Sequence, residues 1–171
     1  MRKGLRGGFW AAVFLLATAT LAFAAAESPS RPATKKDLVG TWELVSVRPV
    51  TDPKDPVFYP YQRYQFNGNS SMKYMTSGTP FTKEWLDKFR KEPAEIDFRV
   101  DERGVLSLMW QKIRHEESAI CALVQKDVPA EVLAKIPADK RKGLPKKGDM
   151  TLSYLTPEGR IAYQKVLTRV A

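Results

Sequence analysis

His115, in the stretch "KIRHEES", is the only histidine of the chain, and Cys121 is its only cysteine. Imidazole and thiol chemistry therefore have one place each to occur. A metal ion would need His115, Glu116 and Glu117 as ligands, and neighbouring positions do not converge readily on one ion. A serine–histidine nucleophile pair lacks a G-x-S-x-G or comparable context. A haem axial ligand from His115 is as weakly supported, and no glycine loop of the phosphate-cradling kind occurs. The expectation is no catalytic constellation, no metal and no cofactor, with His115 a solvated residue between two strands. Cys121 has no partner for an internal disulfide. Within the apolar run 119–124 it is expected to be a buried thiol, with an intermolecular bridge as the sharper alternative.

Cationic side chains offer a second kind of chemistry. The 171 residues carry 28 Lys and Arg against 19 Asp and Glu, a formal net charge of +9. Lys126, Lys135, Lys140, Arg141, Lys142, Lys146 and Lys147 gather in one stretch near the C-terminal end. Such a run is either a solvated face or a patch attracted to an anionic surface by long-range electrostatics. Lys140, Arg141, Lys142, Lys146 and Lys147 are the candidates for that contact.

The elements that must position these groups begin after a leader. Residues 1–26 have a basic start (Arg2, Lys3, Arg6), an apolar run from Phe9 to Ala24 and A-x-A patterns at its end. That order of features predicts a cleaved secretory signal peptide; the alternative is an uncleaved membrane anchor, for which the apolar run is short. Its removal takes three basic residues and no acidic one, lowering the formal charge from +9 to +6. The remaining length of about 145 residues suits one domain with one core. Residues 27–36 lack periodicity and read as a flexible lead-in.

From residue 37 onward the chain reads as a single β domain. Period-two alternation begins at Thr41 and recurs in the runs 63–67, 71–76, 95–101, 105–111, 116–125, 149–155 and 160–170. "NGNS" and "TPEG" are hairpin turn sequences, asparagine and glycine tolerating positive φ. Phe81, Trp85, Leu86 and Phe89 share one helical face over 79–91, with Pro80 in the first turn and Pro93 beyond the end. A second helical stretch, 129–142, is interrupted by Pro137. Eight sequential antiparallel strands close into an all-β up-and-down barrel, which removes exposed edges. A β-sandwich is the alternative, and it normally needs crossing connections.

Gly40-Thr41-Trp42 at the mouth of the first strand, Arg169 in the last strand and the closing run "LSYLTPEGRIAYQKVL" together resemble the lipocalin and wider calycin group, particularly small secreted bacterial proteins with a lipocalin-like domain. The resemblance implies an eight-stranded lipocalin-like barrel over 37–171. It also implies that Arg169 packs over Trp42, a plug at the barrel base in which Gly40, Trp42 and Arg169 are structural. The physical sense is that a large indole covers one barrel end while its N–H finds a partner, and an arginine on its face adds roughly 0.5–2 kcal/mol.

The inward set is expected to be Trp42, Leu44, Tyr64, Phe66, Met72, Tyr74, Ile96, Phe98, Leu152 and Tyr154. A barrel of this size is either filled by side chains or holds one small ligand. Tyr64, Phe66, Tyr74, Phe98 and Tyr154 are the candidate ligand contacts, an apolar lining with hydroxyl tips. Arg48 has the parity of Trp42, so on an unbroken strand it points inward, where fatty-acid-binding relatives anchor a carboxylate. If the chain has left the strand at "RPV", Arg48 is solvated instead.

Three functions follow as expectations. The first is a periplasmic or secreted, monomeric, non-enzymatic carrier of a small hydrophobic or amphipathic ligand. The second is an envelope interaction protein whose barrel is filled and whose basic loop meets an anionic surface. The third is a calycin-type enzyme. Export disfavours nucleic acid as a partner, and after cleavage no integral membrane span is expected.

Overall fold

The computed structural model describes residues 29–170, and the signal peptide expected over 1–26 lies outside them. Nine strands run in chain order: β1 (Ser30–Pro32), β2 (Gly40–Arg48), β3 (Tyr61–Phe66), β4 (Ser71–Ser77), β5 (Ile96–Val100), β6 (Val105–Trp110), β7 (His115–Val124), β8 (Met150–Leu155) and β9 (Ile161–Val170). Between them lie α1 (Lys35–Leu38), a 3-10 turn (Pro56–Phe58), α2 (Lys83–Lys91), α3 (Ala130–Lys135) and α4 (Ala138–Arg141). From β2 to β9 each strand pairs antiparallel with the next, and β9 returns to pair with β2. The result is a closed eight-stranded up-and-down barrel, with β1 as an extra strand against β7. Among the described residues no helix is long and apolar enough to cross a membrane.

Alternation along each strand places one parity inside. Trp42, Phe66, Met72, Leu106, Cys121, Met150, Leu152 and Leu167 are fully buried and form the core with Phe98 and Tyr64. Phe66 and Phe98 meet edge to face, 5.1 Å between centroids. Where the sequence predicts an aperiodic lead-in, Ser30–Pro32 pairs with Pro32 opposite Ala122, and α1 follows behind a capping box formed by Thr34 and Asp37. Asp37 also takes both guanidinium nitrogens of Arg31 at 2.7 Å. That bidentate contact holds its carboxyl well below the usual carboxylate range.

The base of the barrel is closed by Trp42, which is fully buried and donates its indole N–H to the carbonyl of Leu38 at 2.7 Å. The guanidinium carbon of Arg169 sits 4.7 Å from the Trp42 ring centre, and its nitrogens donate to the carbonyls of Val39 and Asp37. Gly40 is required at this corner. Its φ is +136°, and a Cβ there would lie 2.7 Å from Arg169 Nη1.

Two departures from regularity shape the other end. A bulge between Leu44 and Ser46 shifts the register of β2 against β9, turning Ser46 and Arg48 to the outer face. The β4–β5 pairing is only two residues long, Ser71 with Asp97 and Met72 with Ile96. Residues 73–77 therefore have a strand partner on the β3 side alone, and α2 covers the gap. This helix is shorter than the sequence pattern predicts. Thr82, not Thr79, caps it, leaving Pro80 and Phe81 in the preceding loop.

Candidate functional site

The barrel interior above Phe66 and Phe98 holds an unexpected cation. Lys165, on β9, is 4 % exposed. Its position follows from alternation, because Tyr163, Lys165, Leu167 and Arg169 share one face of β9, and Leu167 and Arg169 are already committed to the core and the base plug. Its ammonium lies 5.5–5.9 Å from the ring centres of Tyr64, Tyr74, Tyr154 and Tyr163. Four ring faces form a cage that favours the charged form electrostatically.

Hydrogen bonding orients the cage. The amide nitrogen of buried Gln62 donates to the carbonyls of Val57 and Tyr59 at 2.8 and 2.9 Å. Those oxygens only accept, so the Gln62 carbonyl must face the other way, where Tyr64 donates its hydroxyl to Oε1 at 2.6 Å. With that proton committed, the Tyr64 oxygen accepts from Lys165 Nζ at 3.1 Å. Tyr64 is thus a fixed acceptor for one of the three ammonium N–H groups.

Nothing neutralises the charge closely. Among the described residues no carboxylate lies within ion-pair distance of Lys165. Burial pushes its pKa down to about 8, against the opposing pull of Glu117 and Asp55. Burial likewise raises the Tyr64 and Tyr154 phenols well above their ordinary value, so they remain neutral donors and acceptors near neutral pH.

A cavity of about 80 Å³ adjoins the ammonium, lined by Tyr64, Tyr74, Trp110, Glu117, Tyr154 and Lys165 among others. Val57, from the 3-10 turn, roofs it. The indole N–H of Trp110 is buried and has no hydrogen-bond partner. Met72, Tyr74 and Trp110 line both this cavity and an outer cleft of about 320 Å³ at the β4–β5 gap. Tyr74 and Trp110 meet edge to face at 6.0 Å where the two spaces adjoin. The cleft's outer rim is α2, whose terminal carbonyls at Phe89, Arg90 and Glu92 all accept from Lys73 Nζ at 2.9–3.0 Å.

Of the candidate contacts, Tyr64, Tyr74 and Tyr154 come together around Lys165. Phe66 and Phe98 belong to the packed core. Arg48 is not inside: the bulge reverses its parity, it is exposed, and it donates to the carbonyl of Lys142 at 2.6 Å. Together with Ser46, which donates to the Gly143 carbonyl at 2.7 Å, it fastens the basic excursion to the outer wall. Lys140, Arg141, Lys142, Lys146 and Lys147 are exposed there. His115 is exposed at the start of β7. Cys121 is buried and its thiol pushed up to about 12 by burial, which makes it inert.

Sequence reasoning missed Lys165 and Trp110, and it weighed Glu117 only as a metal ligand beside His115, not as part of the cavity wall. The parity of Arg169 was the available signal for Lys165, since residues 165 and 169 must share a face. Among the described residues no group of three or more His, Cys, Asp or Glu side chains is placed to hold a metal ion. No protein-family model matches the chain, and neither a curated protein nor a solved structure matches it.

Proposed function

We propose that the chain is an exported, monomeric, non-enzymatic binding protein of lipocalin-like, calycin kind, holding a small amphipathic molecule by an oxygen-bearing head group beside Lys165. The observation that carries this reading is a pair of under-satisfied donors on the wall of the inner cavity. Lys165 has one neutral oxygen as its hydrogen-bond acceptor, and the Trp110 N–H has none. Leaving buried donors unmatched is costly, and a carbonyl or carboxylate oxygen would satisfy them. The body of such a ligand lies in the outer cleft against Phe89, Pro93 and Ile96, and the Lys73, Glu95 and Lys112 side chains there suit an amphipathic molecule better than a wholly apolar one. Export rests on the leader pattern of residues 1–26. The plug of Trp42 and Arg169 in a closed barrel supports the lipocalin-like reading.

The test is the native mass of the protein recovered from the exported fraction, followed by titration with octanoate read by tryptophan fluorescence. A stoichiometric extra mass lost on denaturation, or saturable octanoate binding weakened at least ~10-fold in Lys165→Met, is the expected result. A bare polypeptide mass together with no octanoate response discards the reading.

The exposed basic excursion favours a second one. Arg141, Lys142 and Lys146 line a groove of about 500 Å³ between the excursion and the barrel wall. Among the described residues, none of Lys140, Arg141, Lys142, Lys146 and Lys147 makes an ion pair. Attachment to an anionic envelope surface would use these free charges and leave the barrel's contents irrelevant.

A further inference from the structure

We propose that Lys165 is a covalent capture point, its amine condensing with an uncharged aliphatic aldehyde whose carbonyl enters the inner cavity from the β4–β5 cleft. The inference rests on the binding reading above and names the ligand class for that same cavity.

A lysine kept only for structure is expected to be paired or to reach solvent, because a buried unpaired ammonium is expensive. Lys165 is 4 % exposed and, among the described residues, has no carboxylate within ion-pair distance; its contacts are one phenol oxygen and four ring faces. Its Nζ opens on a cavity, accompanied by one phenol oxygen that can only accept from it. The groups facing it from every packed element are Tyr64 on β3, Tyr74 on β4, Glu117 on β7, Tyr154 on β8 and Tyr163 on β9, with Asp55 beyond the roof. Burial disfavours the ammonium and outweighs the opposing pull of Glu117 and Asp55, so the neutral amine is accessible at working pH. Desolvated lysines of this type are nucleophiles toward carbonyls.

The step balances without any redox partner. The Nζ lone pair adds to the carbonyl carbon and the C=O π pair moves to oxygen. Nitrogen gives up one proton and oxygen gains one, which yields a carbinolamine. Loss of the hydroxyl with a second proton releases one water and leaves an imine between Nζ and the former carbonyl carbon. Glu117, on the wall of the same cavity, is the carboxylate placed to carry those protons. The unpartnered Trp110 N–H supplies the donor that the developing oxygen anion needs. The cleft behind Met72 and Trp110, where Phe89, Pro93 and Ile96 lie among Lys73, Glu95 and Lys112, takes the tail.

The experiment treats the exported, processed chain with hexanal and cyanoborohydride at pH 7.5 and locates hexyl-lysine by peptide mass spectrometry. Lys165 is expected to be labelled at least ~10-fold faster than Lys140 or Lys142, with labelling there slowed in Glu117→Gln. A parallel reading without reductant uses cinnamaldehyde, whose imine absorbs at a different wavelength from the free aldehyde, shorter when neutral and longer when protonated. This signal should appear with the wild type and be lost in Lys165→Met. Labelling of Lys165 no faster than surface lysines, with no cinnamaldehyde shift, overturns covalent capture. If octanoate still binds in that case, the binding site stands and only the imine falls; if octanoate also fails, both readings fall.

Discussion

At the scale of single residues the sharpest consequence concerns Lys165. Its pKa is about 8 in the fold and that of an ordinary lysine, about 10.5, in the unfolded chain. Between those values the unfolded chain holds more protons, so stability contributed here rises with pH across that window. Below pH ~8 both states are protonated and the fold bears the full burial penalty, on the order of 3 kcal/mol. Lys165→Met is therefore expected to raise the urea midpoint at pH 6–7, with the gain shrinking between pH 8 and 10. An unchanged midpoint at pH 6.5 would show that the cage already compensates the charge. Trp42 behaves oppositely. Trp42→Ala opens a cavity at the base and should cost ~3–5 kcal/mol, read as a fall in the same midpoint. The indole's place at the strand mouth was legible from Gly40-Thr41-Trp42. Lys165 was not, because a lysine in an alternating strand reads as solvent-facing until a neighbour of known orientation fixes the parity.

At the scale of elements, alternation located all eight barrel strands to within two or three residues, since each has a buried parity that a one-residue slip would expose. What alternation cannot register is an added residue. The bulge after Leu44 leaves the local pattern plausible while moving Arg48 from inside to outside. Turn chemistry was similarly approximate: in "NGNS" the left-handed residue is Ser70, φ 66°, with Asn69 accepting from the Ser71 backbone. The short lead-in elements were invisible because β1 exists through its pairing with β7, not through a pattern of its own. The helix α2 yields a prediction at this scale. Lys73 ties three of its terminal carbonyls to β4, so Lys73→Ala should speed amide exchange over 83–91 by ~10-fold while leaving β2 and β3 unchanged. Equal protection in both chains would mean that Phe89, buried at 5 % exposure, holds the helix unaided.

At the scale of the whole molecule, the basic wall and the inner cage make different demands on the solvent. Attachment through Lys140, Arg141, Lys142, Lys146 and Lys147 should weaken steeply as salt rises from ~50 to 500 mM, because exposed charges are screened over about a Debye length. Octanoate uptake at Lys165 should change little over the same range, since the cation is enclosed. Measuring vesicle co-sedimentation and octanoate affinity at both salts separates the two activities. Parallel loss of both would place the ligand on the outside. The closing of the sheet itself has a consequence in time. The strand that joins β8 back to β2 is β9, and it also carries Tyr163, Lys165, Leu167 and Arg169. A chain emerging N-terminus first therefore has two open sheet edges, an uncovered Trp42 and no cage until its final ten strand residues, Ile161–Val170, arrive. On the proposed reading, translocation of the unclosed chain precedes binding, because the cage around Lys165 is complete only when the barrel shuts.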